Sequence, residues 1–132
     1  MQAAVPVSAL YVALGALMLV VMSVRIIALR RRLKIGLGDG AERKLLQRMR
    51  VHGNAVETLP IQLLLLLMLE WMGVGHPWLH GFGMAIIVSR ALHAVGLSRS
   101  PGTSFGRFVG TAISLLLMVL MSLALIVHTF VR

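Results

Sequence analysis

The sequence predicts an all-α integral membrane protein, a four-helix bundle that forms a single domain over residues 1–132. Hydrophobic residues make up 58% of the chain and charged residues 13%. Soluble domains carry about 45–50% apolar and about 25% charged residues. The mean hydropathy is +0.91, and four long hydrophobic runs are separated by short polar segments. These observations indicate that the bilayer solvates most of the apolar surface.

The first two helices are predicted over residues 5–34 and 41–73. The first run stays apolar until Arg25, and a helix that rises about 1.5 Å per residue crosses a hydrocarbon core of roughly 30 Å within that length. A cluster of Arg and Lys at residues 30–34 ends it. The second helix begins with polar turns and then becomes apolar. It contains Pro60, which membrane helices tolerate when neighbouring groups satisfy the freed carbonyl.

The last two helices are predicted over residues 77–97 and 105–131. A short hairpin precedes the third helix, and Trp71 and Trp78 flank this hairpin, as is typical of an aromatic belt at a membrane interface. Pro and Gly mark the predicted loop at residues 98–103.

Charge predicts the orientation of these helices. Nine of the 13 Lys and Arg residues lie between Arg25 and Arg50. Short loops rich in Lys and Arg remain in the cytoplasm, so we predict a cytoplasmic first loop and non-cytoplasmic termini. The basic cluster at residues 30–34 is predicted to contact anionic membrane lipid. No nucleic-acid partner is predicted, because the basic residues adjoin the hydrophobic runs.

Several kinds of chemistry are not predicted. The chain has no Cys, which excludes disulfides and a cysteine nucleophile. No two of its five His residues have a spacing typical of a metal site. The sequence also has no Ser-His-Asp set, phosphate-binding loop or paired carboxylates.

Polar residues inside the hydrophobic runs mark the candidate site, because an ionisable group at membrane depth costs at least about 2–3 kcal/mol unless it is paired or hydrated. On the second helix they recur at intervals of three and four, which places them on one face: Arg43, Gln47, Arg50, Asn54 and Glu57. Similar faces follow on the third and fourth helices: Arg90, His93 and Leu97; Arg107, Thr111 and Ser114. With Arg25, these residues are predicted to converge on a pocket open to the cytosol.

The side chains predicted to line this pocket favour an anionic ligand. Arg binds carboxylates through two parallel hydrogen bonds. Glu57 would accept hydrogen bonds from a ligand ammonium or amide. A ligand with two carboxylates and one amine fits, and glutathione is such a ligand, with a reactive thiol.

Structural alternatives remain open at this point. An ion pair between Glu57 and Arg50 or Arg90 would also hold the bundle together, with Asn54 as an interhelical hydrogen bond. His93 taken alone is more typical of a packing residue. Arg107 alone is consistent with an anchor in the lipid headgroups.

The stretch RVHGNAVETLP, from Arg50 to Pro60, resembles the signature of the MAPEG superfamily, the membrane-associated proteins in eicosanoid and glutathione metabolism. The family pattern is an arginine, an asparagine four residues on, a glutamate three further and a nearby proline. The basic first loop, the RALH sequence at residues 90–93 and Arg107 at the start of helix four extend the resemblance over nearly the whole chain. It is closest to the small bacterial members.

The resemblance implies a homotrimer in a bacterial inner membrane, with glutathione as cosubstrate between neighbouring subunits. Arg107 would be the catalytic residue that stabilises the thiolate. The implied glutathione ligands are taken together with residues of the polar faces of helices three and four. The full set is Arg25, Arg50, Asn54, Glu57, Arg90, His93 and Thr111. The expected activity is that of a glutathione transferase or peroxidase, which presents the thiolate to a lipophilic small molecule from the bilayer.

Three positions depart from catalytic relatives. In catalytic members of the family, tyrosines occur at the positions of Leu97 and Thr111. A serine occurs at the position of Phe108, directly after the arginine that starts the fourth helix. These departures weaken an expectation of eicosanoid chemistry. Two alternatives therefore stand beside the enzyme: a non-catalytic lipid-binding or scaffold protein on the same fold, and a small four-helix transporter with Glu57 as its coupling carboxylate. The excess of arginine makes the transporter a poor cation route.

Overall fold

The computed structural model describes residues 6–99 and 105–131, and every regular element in these ranges is a helix. The helices are α1 (Val7–Leu33), α2 (Arg43–Trp71), α3 (His76–Arg99) and α4 (Phe105–Val131). All four are long and apolar enough to cross a membrane. The predicted all-α architecture of four helices is confirmed over this part of the chain. Helix α3 extends to Arg99, into the predicted loop, and residues 100–104 of that loop lie outside the described residues.

Helices α2 and α3 form the centre of the bundle. Each contacts both outer helices, α1 and α4, whereas these two do not touch each other within the described residues. The fully buried core between the helices is aliphatic: Leu59, Leu66, Leu79, Ile86 and Met121.

The outer surface of the bundle is also aliphatic. Leu17 of α1 is 62% exposed and Leu116 of α4 is 58% exposed, and similar side chains continue along both helices. A soluble monomer rarely exposes apolar surface on this scale. The packing therefore leaves aliphatic residues on the outside of the bundle, where a bilayer solvates them.

A carboxylate from α2 holds the first turn of α1. Pro6 precedes α1 and offers no side-chain cap, so the first backbone N–H groups lack partners within the helix. Glu70, in the last turn of α2, accepts hydrogen bonds from the N–H groups of Val7 (2.5 Å) and Ser8 (2.8 Å), and from the Ser8 hydroxyl. Negative charge is favourable at a helix N-terminus. Glu70 thus joins α1 to α2 at the end away from the basic loop.

The opposite end of α1 is cationic. Arg30, Arg31 and Arg32 occupy its last turn, where positive charge is favourable. Lys34 adopts a left-handed conformation with φ of 56°, and its N–H donates to the carbonyls of the last turn. This reversal leads into the short loop before α2, so the basic ends of α1 and α2 lie side by side.

Candidate functional site

An open cleft of about 390 Å³ lies between α2, α3 and α4 at the basic end of the bundle. We refer to it as the basic cleft, and its lining residues are Arg43, Leu46, Gln47, Arg50, Asn54, His93 and Arg107. Three guanidinium groups thus border one space, and none of the lining residues is acidic. Such a lining suits an anion with oxygen acceptors.

Helix α2 supplies most of this lining because of its sequence spacing. Arg43, Gln47, Arg50 and Asn54 follow one another at intervals of four, three and four. Residues at these intervals lie above one another on a single helix face. The first three turns of α2 therefore form one polar wall of the cleft.

Arg90 lies behind this wall. Its side chain is only 2% exposed. Nη1 donates hydrogen bonds to Asn54 Oδ1 (2.6 Å) and Thr58 Oγ1 (2.9 Å), and Nη2 donates to the Gly110 carbonyl (3.2 Å). The guanidinium thus connects α2, α3 and α4 through neutral acceptors. It reaches the basic cleft through Asn54, whose carboxamide it orients.

His93 forms the α3 side of the cleft. The residue is 5% exposed, and its Nδ1 shares a hydrogen bond of 2.9 Å with Thr111 Oγ1. Within the described residues, its Nε2 has no hydrogen-bond partner. The hydroxyl of Thr111 fixes the ring orientation, because a bond at one ring nitrogen sets how the other is presented. The His93 ring thus lies in the α3 wall of the cleft, with its Nε2 buried.

Two glycines bring α4 against α3 beside the cleft. A Cβ at Gly110 would lie 2.7 Å from both the His93 backbone N and the Ser89 carbonyl oxygen, and one at Gly106 would lie 3.4 Å from the Leu92 carbonyl oxygen. Small residues four apart allow this close approach of membrane helices. Arg107 directly follows Gly106, so the same contact places it next to the cleft.

Glu57 lies outside the basic cleft. It is exposed on α2, and it makes no ion pair with Arg50 or Arg90. Asn54 and Thr58 turn toward α3 to accept from Arg90, whereas Glu57 lies about 60° round the helix from Asn54 and faces outward. The alternative of an ion pair between Glu57 and one of these arginines is therefore not found. The interhelical hydrogen bond of Asn54, which belonged to the same alternative, is present.

Arg25 also lies apart from the basic cleft in this chain. It borders a separate cleft of about 270 Å³ with Lys44, Gln47 and Arg48. Arg48 Nη1 donates a hydrogen bond of 2.6 Å to the Arg25 carbonyl. A single chain thus brings together Arg50, Asn54, His93 and Arg107, and leaves Arg25 and Glu57 on other surfaces.

The polar spacing on α2 continues beyond the residues that were predicted for the site, and it indicates one further interhelical contact. Thr58 and Gln62 follow Asn54 at intervals of four, so a polar stripe continues into the bundle. Gln62 is fully buried, and its Nε2 donates to the carbonyl (2.9 Å) and hydroxyl (2.8 Å) of Ser114. The stripe joins α2 to α4 below the basic cleft.

These features define an integral membrane bundle of four helices with a basic cleft at one end. A profile of the MAPEG family matches residues 8–127, and the chain belongs to this family. The chain is 38% identical, over 90 residues, to "Inner membrane protein YecN" of Escherichia coli (strain K12). The aligned region covers 68% of this chain and 69% of the relative. The protein of the same name from Escherichia coli O6:H1 (strain CFT073) matches with the same identity and coverage. The predicted resemblance is thereby confirmed.

Proposed function

We propose that the protein binds glutathione in the basic cleft and presents its thiolate to a lipophilic electrophile from the bilayer, as a membrane-bound transferase or peroxidase does. The observation that carries this proposal is the cleft itself, in which three guanidinium groups border about 390 Å³ without an acidic lining residue. Glutathione has two carboxylates and one ammonium, so its net charge complements this lining.

The lining residues suggest separate tasks. Arg43 and Arg50 are suited to the ligand carboxylates, because guanidinium groups bind carboxylates through paired hydrogen bonds. Asn54 offers its amide N–H groups, since its Oδ1 already accepts from Arg90. His93 borders the same space and would supply a further polar contact if its ring turned toward the ligand. We assign Arg107 to the thiol.

Arg107 would act on the ionisation of the thiol. A thiol with a pKa of about 8–9 is only a few per cent ionised at neutral pH. A guanidinium close to the sulfur favours the thiolate and lowers the pKa of the bound thiol. The thiol proton would pass to solvent water, and the guanidinium of Arg107 would stabilise the thiolate that remains.

We further propose that the protein is a homotrimer in which a neighbouring subunit completes the site. Glu57 supports this, because a carboxylate exposed at membrane depth costs at least about 2 kcal/mol if it faces lipid. Arg25 supports it as well, since it is exposed and separate from the cleft of its own subunit. A neighbour would cover Glu57 and bring its own Arg25 to the glutathione.

A spectroscopic titration tests the proposed function. Adding glutathione to the purified protein should increase the ultraviolet absorbance of thiolate. The Arg107→Ala protein should keep measurable affinity for glutathione but lose most of the thiolate signal and most conjugation of an aryl halide electrophile. Arg31→Ala is the matched control, because Arg31 is exposed in the last turn of α1 and lies outside the cleft.

The outcomes separate the candidate functions. If the wild-type protein forms no thiolate at saturating glutathione, the enzyme proposal fails and a non-catalytic lipid-binding protein on the same fold becomes the better candidate. If Arg107→Ala forms thiolate as well as the wild type, the catalytic residue has been assigned wrongly. The transporter alternative gains no support, because Glu57 faces outward instead of lining a path through its own subunit.

A further inference from the structure

The buried guanidinium of Arg90 determines which side of the Asn54 carboxamide faces the basic cleft. Nη1 of Arg90 lies 2.6 Å from a side-chain atom of Asn54. A guanidinium has five N–H donors and no acceptor, so this atom is the amide oxygen Oδ1 and not the nitrogen. Arg90 lies behind the α2 wall, and Asn54 borders the cleft. The NH2 group of Asn54 is therefore the side that is turned to a ligand.

Further hydrogen bonds prevent the guanidinium from turning away. Nη1 also donates to Thr58 Oγ1, and Nη2 donates to the Gly110 carbonyl. The Thr58 hydroxyl donates its own proton to the Asn54 backbone carbonyl at 2.9 Å, which leaves its oxygen as an acceptor for Arg90. Acceptors on α2 and α4 thus hold the guanidinium in one position. Reversal of the Asn54 amide would break the bond to Arg90 and leave a buried donor without its acceptor, which is costly.

The direction of this amide decides what it recognises. An asparagine side chain accepts at its oxygen and donates at its nitrogen, and a free one turns to suit either kind of ligand group. Held as it is, Asn54 can only donate toward the cleft, which suits a carboxylate oxygen. The reversed amide would accept from a ligand amine or amide N–H instead.

The charge of Arg90 acts in the same direction. Its hydrogen bonds go to neutral acceptors, and no carboxylate pairs with it within residues 6–99 and 105–131. A cation bound to the oxygen of an amide polarises that amide, so the Asn54 N–H groups become stronger donors. Arg90 itself is only 2% exposed and does not line the cleft. Its effect on a ligand is therefore transmitted by Asn54.

We propose that Arg90 is a specificity-determining residue that acts through Asn54. It holds the Asn54 NH2 group toward the basic cleft and so selects a ligand carboxylate over an amide at that point. The inference rests on the proposed function in taking the basic cleft as the ligand site. It gives Arg90 a positioning role in place of the direct contact with glutathione that the family resemblance implied.

Paired acids and amides test this role by calorimetry. The pairs are glutathione with its diamide, and glutarate with glutaramide. The wild type should prefer the acid of each pair, and Arg90→Gln should reduce that preference about tenfold, the value of one hydrogen bond to a charged group. Glutamine both donates and accepts, so it lets the Asn54 amide reverse. Arg90→Lys should keep most of the preference, because lysine only donates. A purely structural role would weaken acid and amide equally.

Variants of Asn54 separate transmission through the amide from a direct effect of charge. In an Asn54→Ala protein, Arg90→Gln should no longer change the preference. Asn54→Asp keeps an acceptor for Arg90, so the melting temperature should not fall. It turns a second carboxylate oxygen to the cleft, and affinity for both acids should fall at least about tenfold. Leu37→Asp is the matched control, because Leu37 is 93% exposed in the loop at the same end of the bundle.

Each outcome decides the proposal. An unchanged preference in Arg90→Gln, or acid binding by Asn54→Asp as strong as in Leu37→Asp, would overturn it. The second comparison applies even if Arg90→Gln does not fold. If the wild type binds glutarate with the expected preference but not glutathione, the proposed function fails and the role of Arg90 stands. If the wild type prefers neither acid to its amide, the role of Arg90 is wrong whatever the function.

Discussion

Two ionisable side chains at similar depth on this bundle have opposite environments. Arg90 is buried and bonded to Asn54, Thr58 and Gly110, whereas Glu57 is exposed on the outer face of α2. Membrane proteins keep such groups only where a partner or a wet site stabilises them. Arg90 has its partners within the subunit and supports the basic cleft from behind. Glu57 has no such partner among the described residues, and we propose that a ligand or a neighbouring subunit supplies one.

Replacing Glu57 with Gln should therefore affect glutathione more than folding. The side chain keeps its shape and loses its charge, and no contact of the isolated subunit depends on that charge. We expect an unchanged melting temperature without ligand and a smaller increase on adding glutathione. If the proposed trimer forms, native mass spectrometry should detect it for the Glu57→Gln protein as well as for the wild type.

The contrary result would assign Glu57 to assembly. A large loss of stability without glutathione, with the ligand-induced increase unchanged, would mean that its carboxylate pairs with a cation of a neighbouring subunit. Removing one partner of a buried ion pair typically costs about 3–5 kcal/mol. The two results differ clearly in a thermal melt with and without ligand.

At the scale of the elements, the α3–α4 contact decides the geometry of the cleft. Gly110 allows the backbones to approach, and that approach brings its carbonyl within reach of Arg90 and Thr111 within reach of His93. The hydrogen bonds therefore depend on the glycine, because a side chain there would hold the helices apart.

Gly110→Ala should separate α3 from α4. The added Cβ would lie 2.7 Å from two backbone atoms, which cannot move aside as a flexible side chain can. We expect overpacking to lower the free energy of unfolding by about 1–3 kcal/mol, measured as a lower melting temperature. We also expect weaker glutathione binding. Gly53→Ala is the control, since a Cβ there meets nothing within 4 Å and alanine favours a helix. Equal effects of the two substitutions would contradict the assigned role of Gly110.

At the scale of the whole molecule, the ends of the bundle differ in charge. The basic loop joins α1 to α2, while the hairpin between α2 and α3 carries no Lys or Arg. The positive-inside rule predicts that the basic loop lies in the cytoplasm and that both termini lie on the other side. On this orientation the basic cleft would open to the cytosol, from which the proposed soluble ligand would enter.

Reporter fusions test this orientation. Alkaline phosphatase, which requires export, should be active when fused after Arg132 and inactive when fused in the loop at Gly38. A fluorescent protein that matures only in the cytoplasm should give the reverse pattern. An active cytoplasmic reporter at Arg132 would invert the topology, and the basic cleft would then face away from the cytosol.

Local rules were sufficient to predict the class of the molecule from its sequence. The length of an apolar run determines whether a helix spans a bilayer, so four runs gave four helices. Spacing determines the angle of a side chain about its own helix axis, so Arg43, Gln47, Arg50 and Asn54 were expected on one face, and all four line the basic cleft.

Only the tertiary structure decided which of these faces meet. Spacing alone placed Glu57 and Arg25 with the other polar residues, yet neither lines the basic cleft of the folded chain. The sequence likewise left Arg90 open to pairing with Glu57, whereas the packed bundle gives it Asn54. The reason is that the angle of a side chain is a local property, while its neighbour depends on how closely two backbones approach. Here Gly106 and Gly110 set that approach between α3 and α4.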